Sequence, residues 1–179
     1  MINEEEAIKI LRKHIPSDEV FGKILAHVQK VKEIALRIGK KVPGADLELI
    51  RIGSLLHDIG RYKSGLGKEG IKHGIYGAEI IRKEGLPEAV ALIAERHIGA
   101  GITKKEILEK KLPLQPKDYV PVSKEEKIIA HADNLVFGHE ERPFSAVVER
   151  YSKELPGKVK DFIALKDEVE AWMKNSGRS

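Results

Sequence analysis

Six residues of types that bind divalent cations stand out along the chain: His27, the adjacent pair His57-Asp58, His73, His97 and Asp133. Imidazole nitrogens and carboxylate oxygens suit Fe, Mn, Ni, Co or Zn, and ligand type alone does not choose among them. The chain has no cysteine. Thiolate metal sites, thiol nucleophiles and disulfides are therefore excluded, and a transition-metal site must use His, Asp and Glu. The pair His57-Asp58 is the most informative. It follows the apolar residues Leu55-Leu56 and precedes Ile59-Gly60. Two adjacent polar groups in such a place are costly to bury without a partner, and one divalent cation satisfies both.

The other members of the set are weighed against a plainer role. A lone helical histidine is more often a packed or surface residue than a ligand, and His14, His131 and His139 are read that way. His131 and Asp133 are two apart on one expected helix, so they point to different sides. His27 lies mid-helix beside an apolar stripe. His73 and His97 sit at helix ends next to glycines. Asp133 interrupts an otherwise apolar helix, where a buried carboxylate needs a cationic partner.

The elements that must position these residues read as helices. Asn3 with Glu6 caps a first helix that Pro16 ends. Ser17-Asp18 caps a second, longer helix to about Lys40, with Val20, Ile24, Val28, Val31 and Ile34 in its stripe. Asp46 caps a third, apolar nearly all round and expected to be the buried centre. It runs through Ile59, places His57-Asp58 near its end and stops at Gly60. Residues 61–72 are expected to be a glycine-rich basic loop that matches neither phosphate-binding glycine motif.

His73-Gly74 opens a helix ended by Gly85, and Pro87 starts another that reaches His97. Thr103 to Lys110 is a short charged helix, and the prolines of 112–122 give an ordered non-helical segment. Ser123 with Glu126 starts a helix through Val136, ended by Gly138. Residues 143–154 and 157–174 supply two more helices, the last packed down by Phe162 and Trp172. No strand alternation or internal repeat is evident.

Length and composition bound the class. The 179 residues, 41% hydrophobic and 34% charged, suit one globular domain with a substantial core. No run is long enough to span a bilayer. The acidic start Met1-Ile2-Asn3-Glu4-Glu5-Glu6 does not read as a signal peptide, so the expected location is cytoplasmic. The net charge of +4 reads chiefly as an ordinary solvated surface. Abundant Lys and Glu without Cys also fits a heat-tolerant protein.

Taken together, the pattern resembles the HD-domain metal-dependent phosphohydrolases. Their motif is His, then His-Asp, then Asp, each on a different helix of an all-α bundle. Here these are His27, His57-Asp58 and Asp133, and the run His57 to Gly60 is the family's His-Asp-Ile-Gly variant. The resemblance covers about residues 20 to 140. It implies an all-α fold: a single HD-domain helical bundle over residues 1–179, helices over 143–174 packed on the motif-bearing core, and a polar tail at 175–179.

His73 and His97 match two further histidines of the two-metal members of that family. The resemblance then implies two divalent ions. One would be held by His27, His57, Asp58 and Asp133, the other by His73 and His97, with Asp58 bridging. The glutamate and Gly-Tyr-Pro signature of the cyclic-dinucleotide members is missing after His97. The pattern is more similar to the dinucleoside polyphosphate hydrolases, through Arg61, His73-Gly74 and the span from Asp133 to Arg142.

The implied activity is hydrolysis of a phosphate ester or anhydride of a nucleotide or dinucleotide by metal-activated water. Asp58 and Arg61 are the expected catalytic residues, and Arg61, Lys63 and Arg142 the candidate phosphate contacts. Nothing singles out Glu79 or Glu95 as a general base. The competing reading is a regulatory metal- or nucleotide-binding module without turnover. A nucleic-acid binder is the weakest, with aromatics at 5%. The expected partner is a small-molecule nucleotide, no membrane is involved, and a homodimer is compatible with the sequence.

Overall fold

The structure is a computed structural model and describes residues 1–65 and 67–174. The polar tail expected at 175–179 lies outside the described residues. Helix α1 spans Glu4–His14, with the Asn3 side chain on the Glu6 amide and the Glu6 carboxylate on the Asn3 amide. These reciprocal bonds satisfy two of the amides a helix start leaves open. Helix α2 spans Asp18–Gly39 behind Ser17, and α3 spans Leu47–Leu56 behind Asp46, whose carboxylate accepts from the Glu48 and Leu49 amides.

Helix α3 is the centre expected from its composition. Ile50, Ile52, Leu55 and Leu56 are fully buried. Each such side chain contributes about 1.5–3 kcal/mol on leaving water. The helix packs against α1, α2, α6 and α8. One cluster joins Leu11, Val28, Leu55, Ile59, Ile81 and Val90; a second joins Val31, Ile34, Ile50, Ile93, Ile129 and Val169.

The expected end of α3 is corrected. The helix closes at Leu56, His57 is its cap, and the chain then turns through Asp58 and Ile59. Gly60 is not a left-handed stop, since its φ is −80°. It is needed for close approach: a Cβ there would lie 2.1 Å from the His73 carbonyl oxygen and 2.5 Å from the Gly77 amide. The segment expected to be a loop is also largely helical, with α4 over Arg61–Ser64 and a 3-10 turn over Gly67–Lys72. Its basic residues Arg61, Lys63, Lys68 and Lys72 are two, five and four apart, so no helical period shows there and the glycines read as a loop.

Helix α5 spans His73–Lys83, α6 spans Glu88–Arg96 and α7 spans Lys104–Lys110. Helix α8 spans Lys124–Asn134, two residues short of the expected end. Val136–Phe137 (β1) instead pairs antiparallel with Glu140–Glu141 (β2) around Gly138, a hairpin the sequence reading missed. Each strand has two residues, too few to show alternation. Helices α9, over Phe144–Glu154, and α10, over Val159–Lys174, complete the described chain. Phe162 is buried and stacks on Tyr151, and Trp172 packs on the second cluster. The fold is all-α apart from this small hairpin. No helix among the described residues is long and apolar enough to cross a membrane.

Candidate metal centre

The six candidate ligands come from α2, the α3 cap and the turn after it, the first residue of α5, the cap of α6, and α8. All six converge. Each of the four histidines is oriented by its own Nδ1–H, which donates to a backbone carbonyl. His57 donates to Ser54 at 2.7 Å, His73 to Gly70 at 2.6 Å, His97 to Ala94 at 2.8 Å and His27 to Gly138 at 2.8 Å. A carbonyl can only accept, so these bonds fix the proton on Nδ1 and turn Nε2 toward the centre. That is how metal-binding histidines are held by a second layer of hydrogen bonds.

Asp58 lies between two sets of nitrogens. Its Oδ1 is 3.3 Å from the Nε2 atoms of both His73 and His97. Its Oδ2 is 3.7 Å from Nε2 of His27 and 4.0 Å from that of His57. Asp133 closes the second set, its Oδ1 being 2.9 Å from His27 Nε2 and 3.6 Å from His57 Nε2. His27, His57 and Asp133, and likewise His57, Asp58 and His97, offer ligand atoms within 4.8 Å of one another.

These residues fit a metal on three observations. The His57 Nε2 is buried with no hydrogen-bond partner, and an orphaned nitrogen in an acidic cluster is suited to a cation. The Nε2 atoms of His73 and His97 stand 2.9 Å apart. With both Nδ1 atoms protonated, the two Nε2 lone pairs face each other unless a proton or a metal ion stands between them.

The third observation is electrostatic. Burial pushes the His27 imidazolium down, but its hydrogen bond to Asp133 and the charges of Asp133 and Asp58 outweigh this and raise it to about 9. A proton on His27 Nε2 thus stands where a metal would bind. Burial, with repulsion from His97 and Arg61, lowers His73 to about 3 despite Asp58, so His73 is neutral. Burial would raise both carboxyls, but Asp58 is held well below the usual range by Arg61 and the surrounding histidines, and Asp133 by His27 and His57. Both are carboxylates, ready to bind a cation.

An open cavity of about 380 Å³ lies over this cluster, with Lys23, Arg61, Phe137, Arg150 and Tyr151 among its walls. Arg61 lies on this wall beside Asp58. Its Nε donates to both oxygens of Asp58 at 3.0 Å. Lys63 and Arg142 do not line the cavity. Lys63 pairs with Glu79 at 3.3 Å and sits over the Tyr76 ring, while Arg142 pairs with Glu140 at 2.6 Å. Glu95 is also outside, bonded to Lys117 at 2.8 Å.

The sequence reading missed Lys23, Arg150 and Tyr151. Lys23 is one helical turn before His27, a spacing that could have signalled it. No sequence signal marks Arg150 or Tyr151, which α9 brings in from outside the motif. Of the plainer histidines, His14 bonds Glu84 at 2.7 Å, His139 is exposed and His131 packs beside Phe144.

Several known proteins are similar to this chain. An uncharacterized protein of Methanocaldococcus jannaschii is 48% identical over 174 residues, covering 95% of this chain and 98% of that one. A protein named tRNA (cytidine(56)-2'-O)-methyltransferase from Thermoplasma volcanium is 43% identical over 151 residues, 84% of this chain. Its counterpart in Picrophilus torridus is 44% identical over 134 residues, 75% of this chain. The chain matches only 41% and 36% of the length of those two proteins.

Among solved structures, the HD domain of the L. monocytogenes phosphodiesterase PgpH shares the fold. The TM-score is 0.55 at 18% identity, covering 94% of this chain and 97% of that one. The same domain in complex with cyclic-di-AMP gives a TM-score of 0.56, with 94% and 96% covered. The profile of the HD domain matches residues 24–138, a span that contains all six converging residues. By that match over most of its length, the chain belongs to the HD domain family.

Proposed function

We propose that this chain is a metal-dependent phosphohydrolase that cleaves a phosphate ester or anhydride of a nucleotide or dinucleotide. The observation that carries the reading is the placement of Asp58, whose two oxygens face different ligand sets. In this reading His27, His57, Asp58 and Asp133 would hold one divalent ion, and His73, His97 and Asp58 would hold another. When bound, such ions lower the pKa of water toward neutrality and offset phosphoryl charge.

The chain's own groups do the rest. The four histidines and two carboxylates fix the site by hydrogen bonds and packing already in place. Arg61 orients Asp58 through Nε, and its exposed end offers donors to phosphate oxygens. Lys23 and Arg150 add positive charge on the cavity wall, where it counts most for a transition state gaining negative charge. Glu79 and Glu95 are paired elsewhere, so no protein carboxylate beyond the ligands is assigned as base. The complex of a structural relative with cyclic-di-AMP supports a nucleotide as the substrate class.

The test is a panel of mononucleotides, cyclic dinucleotides and dinucleoside polyphosphates assayed with Mn, Co, Ni and Fe, after metal analysis of protein purified without added metal. Turnover with at least one metal is expected. Asp58→Ala should abolish it and lower bound metal while the circular dichroism stays helical. Full activity in that variant would overturn the reading.

A second reading follows from the methyltransferase names. A region like this chain, within a protein named for acting on tRNA, could bind RNA phosphates and not turn them over. Metal-independent tRNA binding with no hydrolysis across the panel would favour it.

A further inference from the structure

Behind the metal cluster lies a second cavity of about 190 Å³, between the α6–α7 connection and helices α9 and α10. It shares Ile98, Gly99 and Tyr151 with the walls of the first, so the two adjoin. Their chemistry differs. The first is lined by cations and metal ligands. The second is lined by Ile71, Ala100, Ile102, Leu112 and Leu155, with Phe162 beside Tyr151. Lys158 and Glu106, 2.9 Å apart, give it one polar edge.

Its shape depends on Gly99. That residue has φ +61°, and a Cβ there would come within 3.2 Å of the Phe162 ring. Glycine lets the loop pass beside this ring, and Tyr151 and Phe162 stack with centroids 4.1 Å apart. Two aromatic rings fixed against each other make a rigid wall, needing little ordering when a flat ligand arrives.

We propose that this cavity takes the nucleobase of the substrate whose phosphate lies in the metal-lined cavity. This inference rests on the phosphohydrolase reading and adds where the rest of the substrate goes. A nucleotide has a charged end and a flat, weakly polar end. The molecule offers a charged chamber and a largely apolar one that adjoin at Gly99 and Tyr151. Proteins hold bases between aromatic and apolar side chains and read their edges with a few polar groups. Lys158 and Glu106 are held in place by Gly101, Asp161, Thr103 and Lys110, which fixes the polar edge of this chamber.

The test uses nucleosides without phosphate. Adenosine, guanosine, cytidine and uridine are titrated into the full chain and followed by amide chemical shifts. At least one is expected to move the amides of Gly99, Ala100 and Ile102. Leu155→Trp, which places a ring in the chamber from its half-exposed rim, should weaken that nucleoside about tenfold or more, the scale of one lost base contact. Leu112→Phe obstructs the same chamber from another side and serves if the first variant melts early.

Absence of these shifts at millimolar nucleoside, or undiminished binding in both variants, overturns the inference. The two readings fail separately. Hydrolysis of nucleotides without nucleoside binding here removes only the base chamber. Nucleoside binding here without hydrolysis by any metal removes only the enzyme.

Discussion

Loading the metal centre should release a proton from His27, and metal affinity should therefore climb with pH. His27 in the ion-free protein is raised to about 9 because its Nε2–H faces Asp133 at 2.9 Å with Asp58 behind it. A cation must displace that proton to reach the nitrogen. Below about pH 9 each pH unit costs tenfold in affinity from this group alone, or about 1.36 kcal/mol. From about pH 7 to about pH 8.5 the dissociation constant should fall roughly thirty-fold, equivalent to about 2 kcal/mol. His73, already neutral with its pKa lowered to about 3, adds nothing over that range.

The assay is competition with a chromophoric chelator at several pH values. It is paired with calorimetry in buffers of different ionisation heat, which counts the protons released. His27→Gln should remove the slope. PH-independent affinity, with no proton released near pH 7.5, would refute the account of His27 as a ligand held protonated by two carboxylates.

The other expectations are simpler to check. Burial lowers His131 to about 4, below its unfolded value, so its contribution is complete above about pH 6.5 and is lost as pH falls toward 4. Urea midpoints should show about 2 kcal/mol lost from this group between pH 6.5 and 5, and His131→Leu should flatten that dependence. Gly60→Ala should cost about 3 kcal/mol or more in thermal unfolding, because its Cβ would meet backbone atoms of His73 and Gly77 with no flexible neighbour to yield. Glu4 pairs with both Lys32 and Arg51, and Lys158 with both Glu106 and Asp161. Such networks predict a melting temperature above the ~45–65 °C range of ordinary mesophile domains, measurable by calorimetry.

The helix starts were legible in the sequence because capping is local chemistry. Asn3, Ser17, Asp46 and Ser123 each accept from an amide in the first turn, as their side chains allow. The ends were harder. The third helix stops after Leu56, although its apolar pattern runs on through Ile59, because Gly60 must approach α5 and the chain turns to allow it. Periodicity records which side chains are buried, and Ile59 is buried in a turn as fully as in a helix.

The six converging residues were legible because each sits in an apolar context or at a helix end. The cavity walls were not. Lys23 looks like a solvated charge beside Glu19, with which it pairs at 2.6 Å, and Arg150 and Tyr151 reach the site only because α9 folds back over it. Lys63 and Arg142 show the converse, since nearness to the motif in sequence does not put a side chain on the cavity wall.

Three of the four histidines are held by the same short device, an Nδ1–H bonded to the carbonyl three residues earlier: His57 to Ser54, His73 to Gly70 and His97 to Ala94. Each ring is thus aimed by its own stretch of main chain, without help from another side chain. A substitution elsewhere in the bundle can change volume or charge around the cluster, yet it leaves these anchors intact as long as the helix ends survive. The aiming is therefore inherited from the backbone path.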